Sequence, residues 1–147
     1  MACRRKWKDN EYRIRIVPST VRELTEKGHR VIIETNAGAG AGLSDGDYAA
    51  AGAELVSNPE AVYSNAELIV KVKEPLAPER KRLRRGQIVA YLHLSPDRDQ
   101  AEDMLHAGVT GIAYETVTGI ASTLPLLMPM SEVAGILRAS EEIYILR

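Results

Sequence analysis

Three short segments carry the side chains best suited to acid–base and anion chemistry: Lys71-Val72-Lys73-Glu74-Pro75, Tyr91-Leu92-His93-Leu94 and Tyr114-Glu115-Thr116-Val117. Lys73 offers a point charge to a carboxylate or carbonyl oxygen. His93 exchanges protons near neutral pH. Glu115 is a carboxylate that could support either of them. Each has a plainer reading. Lys73 is otherwise an exposed strand-end lysine, and His93 a hydrogen-bonded histidine at a buried edge. Lys71 lies deeper on the same face as Lys73, and two such charges call for a carboxylate, with Glu74 and Glu115 as candidates. His29 follows Gly28 and His106 lies two residues before Gly108, each near a helix end, where capping or dipole interaction is the expected role.

The elements that must position these groups follow from the pattern of apolar runs. β-branched runs alternate with helical patterns, the signature of βαβ units. The expected class is α/β, a mostly parallel open sheet with helices on both faces, Rossmann-like or flavodoxin-like. The expected strands are 30–35, 53–57, 67–73, 87–94 and 110–117. Helices are expected from Pro18 to Gly28, from Ser44 through Ala51 with Ser44 and Asp47 capping, and from Asn58-Pro59-Glu60. Further helices are expected over 78–85, 97–107 and 131–146, the last with Ser131 as N-cap. Ligands of open parallel sheets gather outside the carboxyl ends of the strands, and this reading brings Lys73, His93 and Glu115 to that edge.

Composition narrows the classes. The chain has 147 residues, 45% apolar and 27% charged, with a net charge of −1. That is the size of one ordinary domain, with no bulk attraction to nucleic acid or an anionic membrane. Arg4-Arg5-Lys6-Trp7-Lys8 is a local basic run read as a solvated arm. The single cysteine, Cys3, excludes an internal disulfide and a multi-cysteine metal site, and fits a reducing, cytoplasmic setting. No run approaches the roughly 18 apolar residues of a membrane span. Ala37-Gly38-Ala39-Gly40-Ala41-Gly42 lacks the G-x-G-x-x-G spacing of a dinucleotide fingerprint, so a flexible connection is expected. No Walker, H-E-x-x-H or G-x-S-x-G motif appears, and no metal site is supported.

Taken together, Asn10-Glu11-Tyr12-Arg13, Gly28-His29, 34–42, Ala51-Gly52-Ala53, 71–75, Leu92-His93-Leu94, 113–117 and 124–135 form a series in matching order. With Pro129-Met130-Ser131-Glu132-Val133-Ala134-Gly135, this series resembles the N-terminal substrate-binding region of the alanine dehydrogenase and pyridine nucleotide transhydrogenase family, alanine dehydrogenase most closely. The resemblance implies reversible conversion of L-alanine to pyruvate and ammonium with NAD. It implies that Arg13 grips the substrate carboxylate, that Lys73 holds a carboxylate or carbonyl oxygen, and that His93 is the acid/base. Met130 and Ser131 match positions near the cofactor, and Glu115 has a supporting role.

Two departures shape the expectations. Family members begin with an apolar strand where this chain has Met1-Ala2-Cys3-Arg4-Arg5-Lys6-Trp7, so the sheet is expected to lack its first strand and the Arg13 loop its anchor. In the family, the helix near Ser131 leads to a Rossmann domain, and no such fingerprint is present here. The expected organisation is therefore a truncated substrate domain, 1–130, followed at 131–147 by the start of that helix. The chain alone is expected to bind no NAD and to have no activity unless a separate NAD-binding chain completes it. Exposed surface favours self-association. The competing classes are a non-catalytic binding or oligomerisation module and a gene remnant.

Overall fold

The computed structural model describes residues 2–3, 13–90, 92 and 97–145. Proline and side-chain caps set the helix starts. Pro18 occupies the first turn of α1 (Pro18–Glu26), and Gly28 follows it at φ 83°, a left-handed conformation that costs glycine nothing. The Asn58 side chain accepts from the Glu60 N–H at the start of α3 (Pro59–Asn65), and the Asp97 side chain accepts from Gln100 N–H at the start of α5 (Arg98–Ala107). Between them lie α2 (Asp45–Ala50) and α4 (Ala77–Arg80). The strands are β1 (Ala2–Cys3), β2 (Ile32–Glu34), β3 (Glu54–Val56), β4 (Leu68–Val70), β5 (Ile88–Ala90) and β6 (Thr110–Ile112). β2 to β6 are three residues each, shorter than the strands expected there.

The strands form one parallel sheet in the order β3-β2-β1-β4-β5-β6. Successive strands step outward from β1 to β3, and the chain then crosses back to β4 and steps outward the other way. The strand order reverses between β1 and β4, and in open α/β sheets ligands gather outside the carboxyl ends of the strands at such a point. The expectation that the first strand is missing is therefore overturned. Ala2 and Cys3 pair with Ile32 and Ile33 on one side and with Ile69 and Val70 on the other. Two residues ahead of the arginines suffice, because both neighbouring strands supply ladder partners.

Adjacent residues of each strand face opposite sides, and each side has its own core. Ile32, Ile69 and Val89 pack with Val62 and Tyr63 of α3 and Met104 of α5. Ile33 and Val70 pack with Val21 of α1 and Tyr48 of α2. Helices thus cover both faces, and that is why the strands read as continuous apolar runs rather than alternating ones. Buried Gln87 fixes α3 to β5: its amide donates to the carbonyls of Tyr63 and Ala66 at 2.6 and 2.7 Å.

Two compact units divide the chain, Met1–Ile112 and Ala113–Arg147. The first holds the sheet and α1 to α5. The second contains 3₁₀ turns at Tyr114–Thr116 and Ile120–Ser122 and helix α6 (Met128–Ile145). Ser131 is not the N-cap of α6. The helix starts three residues earlier because Pro129 is tolerated in its first turn, and the Ser131 hydroxyl donates to Leu127 C=O at 3.2 Å. Among the described residues no helix is long and apolar enough to cross a membrane.

The Ser44–Asp47 capping box forms as the sequence indicates. The Asp47 carboxylate accepts from the Ser44 hydroxyl at 2.6 Å and from the Ser44 N–H at 2.8 Å. These two bonds hold the Asp47 carboxyl below the usual aspartate range. Because the folded value is depressed, this stabilisation is fully present above the ordinary aspartate value and disappears as pH falls through the folded one. Asp47→Asn is expected to lower the unfolding temperature at pH 7, with the gap from the parent chain closing below about pH 4. Thermal unfolding followed by circular dichroism across that range checks it.

Candidate functional site

The carboxyl end of β4 leads directly into the lysine segment, beside the strand-order reversal. β4 stops at Val70, so Lys71 and Lys73 lie beyond it and do not share a strand face as the alternation had suggested. Lys71 is 5% exposed and Lys73 is exposed. The carboxylate that neutralises Lys71 is neither Glu74 nor Glu115. It is Glu79 of α4, 3% exposed, whose Oε2 lies 2.8 Å from Lys71 Nζ. Glu74 contributes only its backbone carbonyl, 3.4 Å from the same ammonium.

Glu79 stands at the third position of α4, where a glutamate side chain can reach back to the N-cap N–H. It does so here, accepting from Leu76 N–H at 2.7 Å. Proline one residue earlier, at Pro78, marks the same helix start. Leu76-Ala77-Pro78-Glu79 carries this start signal locally, and the helix ends at Arg80, short of the expected 78–85. Arg80 completes the frame. It donates to Pro75 C=O at 3.3 Å and to Asp103 of α5 at 2.6 Å.

Lys73 stands inside this frame at φ 66°, a left-handed conformation that is uncommon for a residue with a side chain. Arg13 is also in the first unit and exposed. Three residues on, Ile16 is buried and its carbonyl accepts the Tyr48 hydroxyl at 2.9 Å. The Arg13 segment is thus anchored, contrary to expectation, by its own apolar residues and the tyrosine of α2. His93 lies outside the described residues, while Leu92 beside it is fully buried. Glu115, Met130 and Ser131 belong to the second unit. Glu115 is half-buried in the 3₁₀ turn Tyr114–Thr116, beyond the end of β6 rather than within it. Met130 is half-buried and Ser131 exposed, both within α6.

The glycine-rich connection follows β2. Residues Ala39–Ala41 form a 3₁₀ turn in which Ala41 and Leu43 N–H donate to Gly38 C=O and Gly42 N–H to Ala39 C=O. It is an ordered, self-bonded turn and not a flexible tether. A side chain at Gly38 would meet Tyr48 at 2.6 Å and Leu43 at 2.8 Å. That glycine serves packing.

Comparison with known proteins bears on the family and the fold. Residues 2–134 match the family model for "Alanine dehydrogenase/PNT, N-terminal domain". The chain is 51% identical over 138 residues to alanine dehydrogenase of Mycolicibacterium smegmatis, covering 93% of this chain and 37% of that protein. It is 47% identical over 129 residues to alanine dehydrogenase of Bacillus subtilis, covering 87% and 34%. A solved L-alanine dehydrogenase superposes with a TM-score of 0.87 at 44% identity, covering 93% of this chain and 38% of that one. A transhydrogenase from Sinorhizobium meliloti superposes with a TM-score of 0.72 at 28% identity, covering 82% and 37%. The chain spans a little over a third of the length of these proteins. It belongs to the alanine dehydrogenase/PNT N-terminal domain family.

Proposed function

We propose that this chain is the substrate-holding part of an NAD-dependent alanine dehydrogenase, which interconverts L-alanine with pyruvate and ammonium. The observation that carries the reading is an exposed lysine, Lys73, held left-handed at the carboxyl end of β4, beside the sheet reversal where α/β sheets bind ligands. The Lys73 ammonium engages the carbonyl or carboxylate oxygen of the 2-oxo acid and stabilises charge that develops there. Arg13 grips the carboxylate through its planar fork. His93 moves the proton to and from the groups on the reacting carbon. The family resemblance gives Glu115 a supporting role and gives Met130 and Ser131 positions near the cofactor.

The glycine turn and the start of α2 do not fit a dinucleotide phosphate. The glycine turn uses its amides on its own carbonyls, and the first turn of α2 carries Asp45 and Asp47, which disfavour a phosphate. The redox step therefore belongs to a nucleotide-binding region not described here, whether joined to this sequence or carried by a separate chain. Exposed Ile120, Met128 and Val133 supply apolar surface for such a partner or for self-association.

Calorimetry on the purified chain, with pyruvate and NADH in separate titrations, tests the reading. Pyruvate is expected to bind saturably, His93→Ala and Lys73→Ala to weaken that binding by about tenfold or more, and NADH to give no heat. Turnover of pyruvate, ammonium and NADH is expected only when a nucleotide-binding half from an alanine dehydrogenase is added. A chain that ignores pyruvate would leave a bare scaffold and overturn the proposal.

A further inference from the structure

We infer that the buried Lys71–Glu79 ion pair is a positioning device: it holds Lys73 in its left-handed conformation and so sets substrate affinity without touching the substrate. The inference rests on the proposed role of Lys73 and adds two residues to which nothing in that role assigns a part. A residue with a side chain does not stay at φ 66° unless its surroundings hold it there. The surroundings here converge on one carboxylate. Glu79 Oε2 accepts from Lys71 Nζ at 2.8 Å and from Leu76 N–H at 2.7 Å, so a single atom ties down both ends of the segment whose bend contains Lys73. Lys71 also reaches Glu74 C=O, and Arg80 reaches Pro75 C=O. These straps come from Lys71 and from the first helical turn beyond it.

Stability alone is a poor account of the pair. Two buried charges of this kind can be exchanged for apolar residues of similar size with little loss, because their attraction is offset by the desolvation of both. What an apolar pair cannot do is bond Leu76 N–H and Glu74 C=O. The pair therefore separates two quantities that a purely structural contact would move together: the stability of the fold and the geometry of Lys73.

The double variant Lys71→Met/Glu79→Met removes both charges at similar volume. Its unfolding temperature is expected to stay within a few degrees of the parent chain, while pyruvate affinity falls at least tenfold. The Lys73 Cα and Cβ chemical shifts are expected to leave their left-handed values. Lys71→Met/Glu79→Gln keeps an acceptor for Leu76 N–H and is expected to recover part of the affinity and of the shift. Unchanged Lys73 shifts in the double variant, or affinity within twofold of the parent, overturn the inference. So does unfolding of both variants, which would make the pair a structural contact. Lack of pyruvate binding by the parent chain overturns the functional reading instead. The chemical shifts then still decide whether the pair holds Lys73, while the link to affinity falls with that reading.

Discussion

Lys73→Gly is expected to weaken pyruvate binding by about 10- to 100-fold and yet to leave the chain more stable than Lys73→Ala. Both substitutions remove the ammonium. A hydrogen bond to a charged group contributes about 1.5–3 kcal/mol, and each 1.4 kcal/mol is about tenfold in affinity. They differ in the backbone. Alanine keeps a Cβ that crowds the following carbonyl at φ 66°, at a cost of about 1–2 kcal/mol, whereas glycine does not. Part of that advantage is offset because glycine gains freedom in the unfolded chain. A net difference near 1 kcal/mol corresponds to roughly 2–4 °C in unfolding temperature. Calorimetry and thermal unfolding of the two variants side by side measure both effects. Equal unfolding temperatures would mean that the left-handed conformation stores no strain.

Gly38→Val is expected to cost several kcal/mol and to leave little folded chain at 37 °C. Gly38 has an ordinary negative φ of −91°, so its backbone conformation is open to any residue and the objection is steric. Its missing Cβ would stand 2.6 Å from Tyr48 Cε2, 2.8 Å from Leu43 O and 2.9 Å from Leu43 Cβ. Two of those atoms belong to the backbone or to its first side-chain carbon and cannot swing away. Tyr48 is fully buried and its hydroxyl is committed to Ile16 C=O, so moving the ring breaks the anchor of the Arg13 segment as well. Overpacking a well-filled site typically costs about 1–3 kcal/mol for a small addition, and a valine adds more than that. Gly42→Ala is the control. Gly42 has φ 74° with open space around its Cβ position, so it should lose only about 1 kcal/mol. Denaturant unfolding of the three chains checks the ranking. A Gly38→Val chain as stable as Gly42→Ala would show that the turn opens freely.

These two glycines show how far the sequence could be read. Three glycines at alternate positions in 37–42 indicate a connection, and the absent G-x-G-x-x-G spacing argues against a dinucleotide cradle. Nothing in that run distinguishes a glycine needed for packing from one needed for its φ. That difference is made by Tyr48, which only folding brings against Gly38. The lysines follow the same rule. Their place at a strand end was legible because β-branched runs and helix caps are local. The partner of Lys71 was not, because alternation was carried past Val70, where β4 stops, and this kept both lysines on one face.

By itself the sequence determined the alternation of strands and helices, the Ser44–Asp47 cap, the helix starts near Asn58 and Asp97, the parallel class of the sheet, and the series of motifs that carries the family resemblance. All of these are encoded in residues a few positions apart, through helix and strand periodicity and through side chains that bond their own backbone. Only the tertiary structure decided that Ala2–Cys3 is a central strand, because a two-residue strand has no periodicity of its own and exists through β2 and β4 beside it. Only it decided that Lys71 is committed to Glu79 and Lys73 left exposed and left-handed. Burial, and with it the cost of an unpaired charge, depends on what packs around a residue.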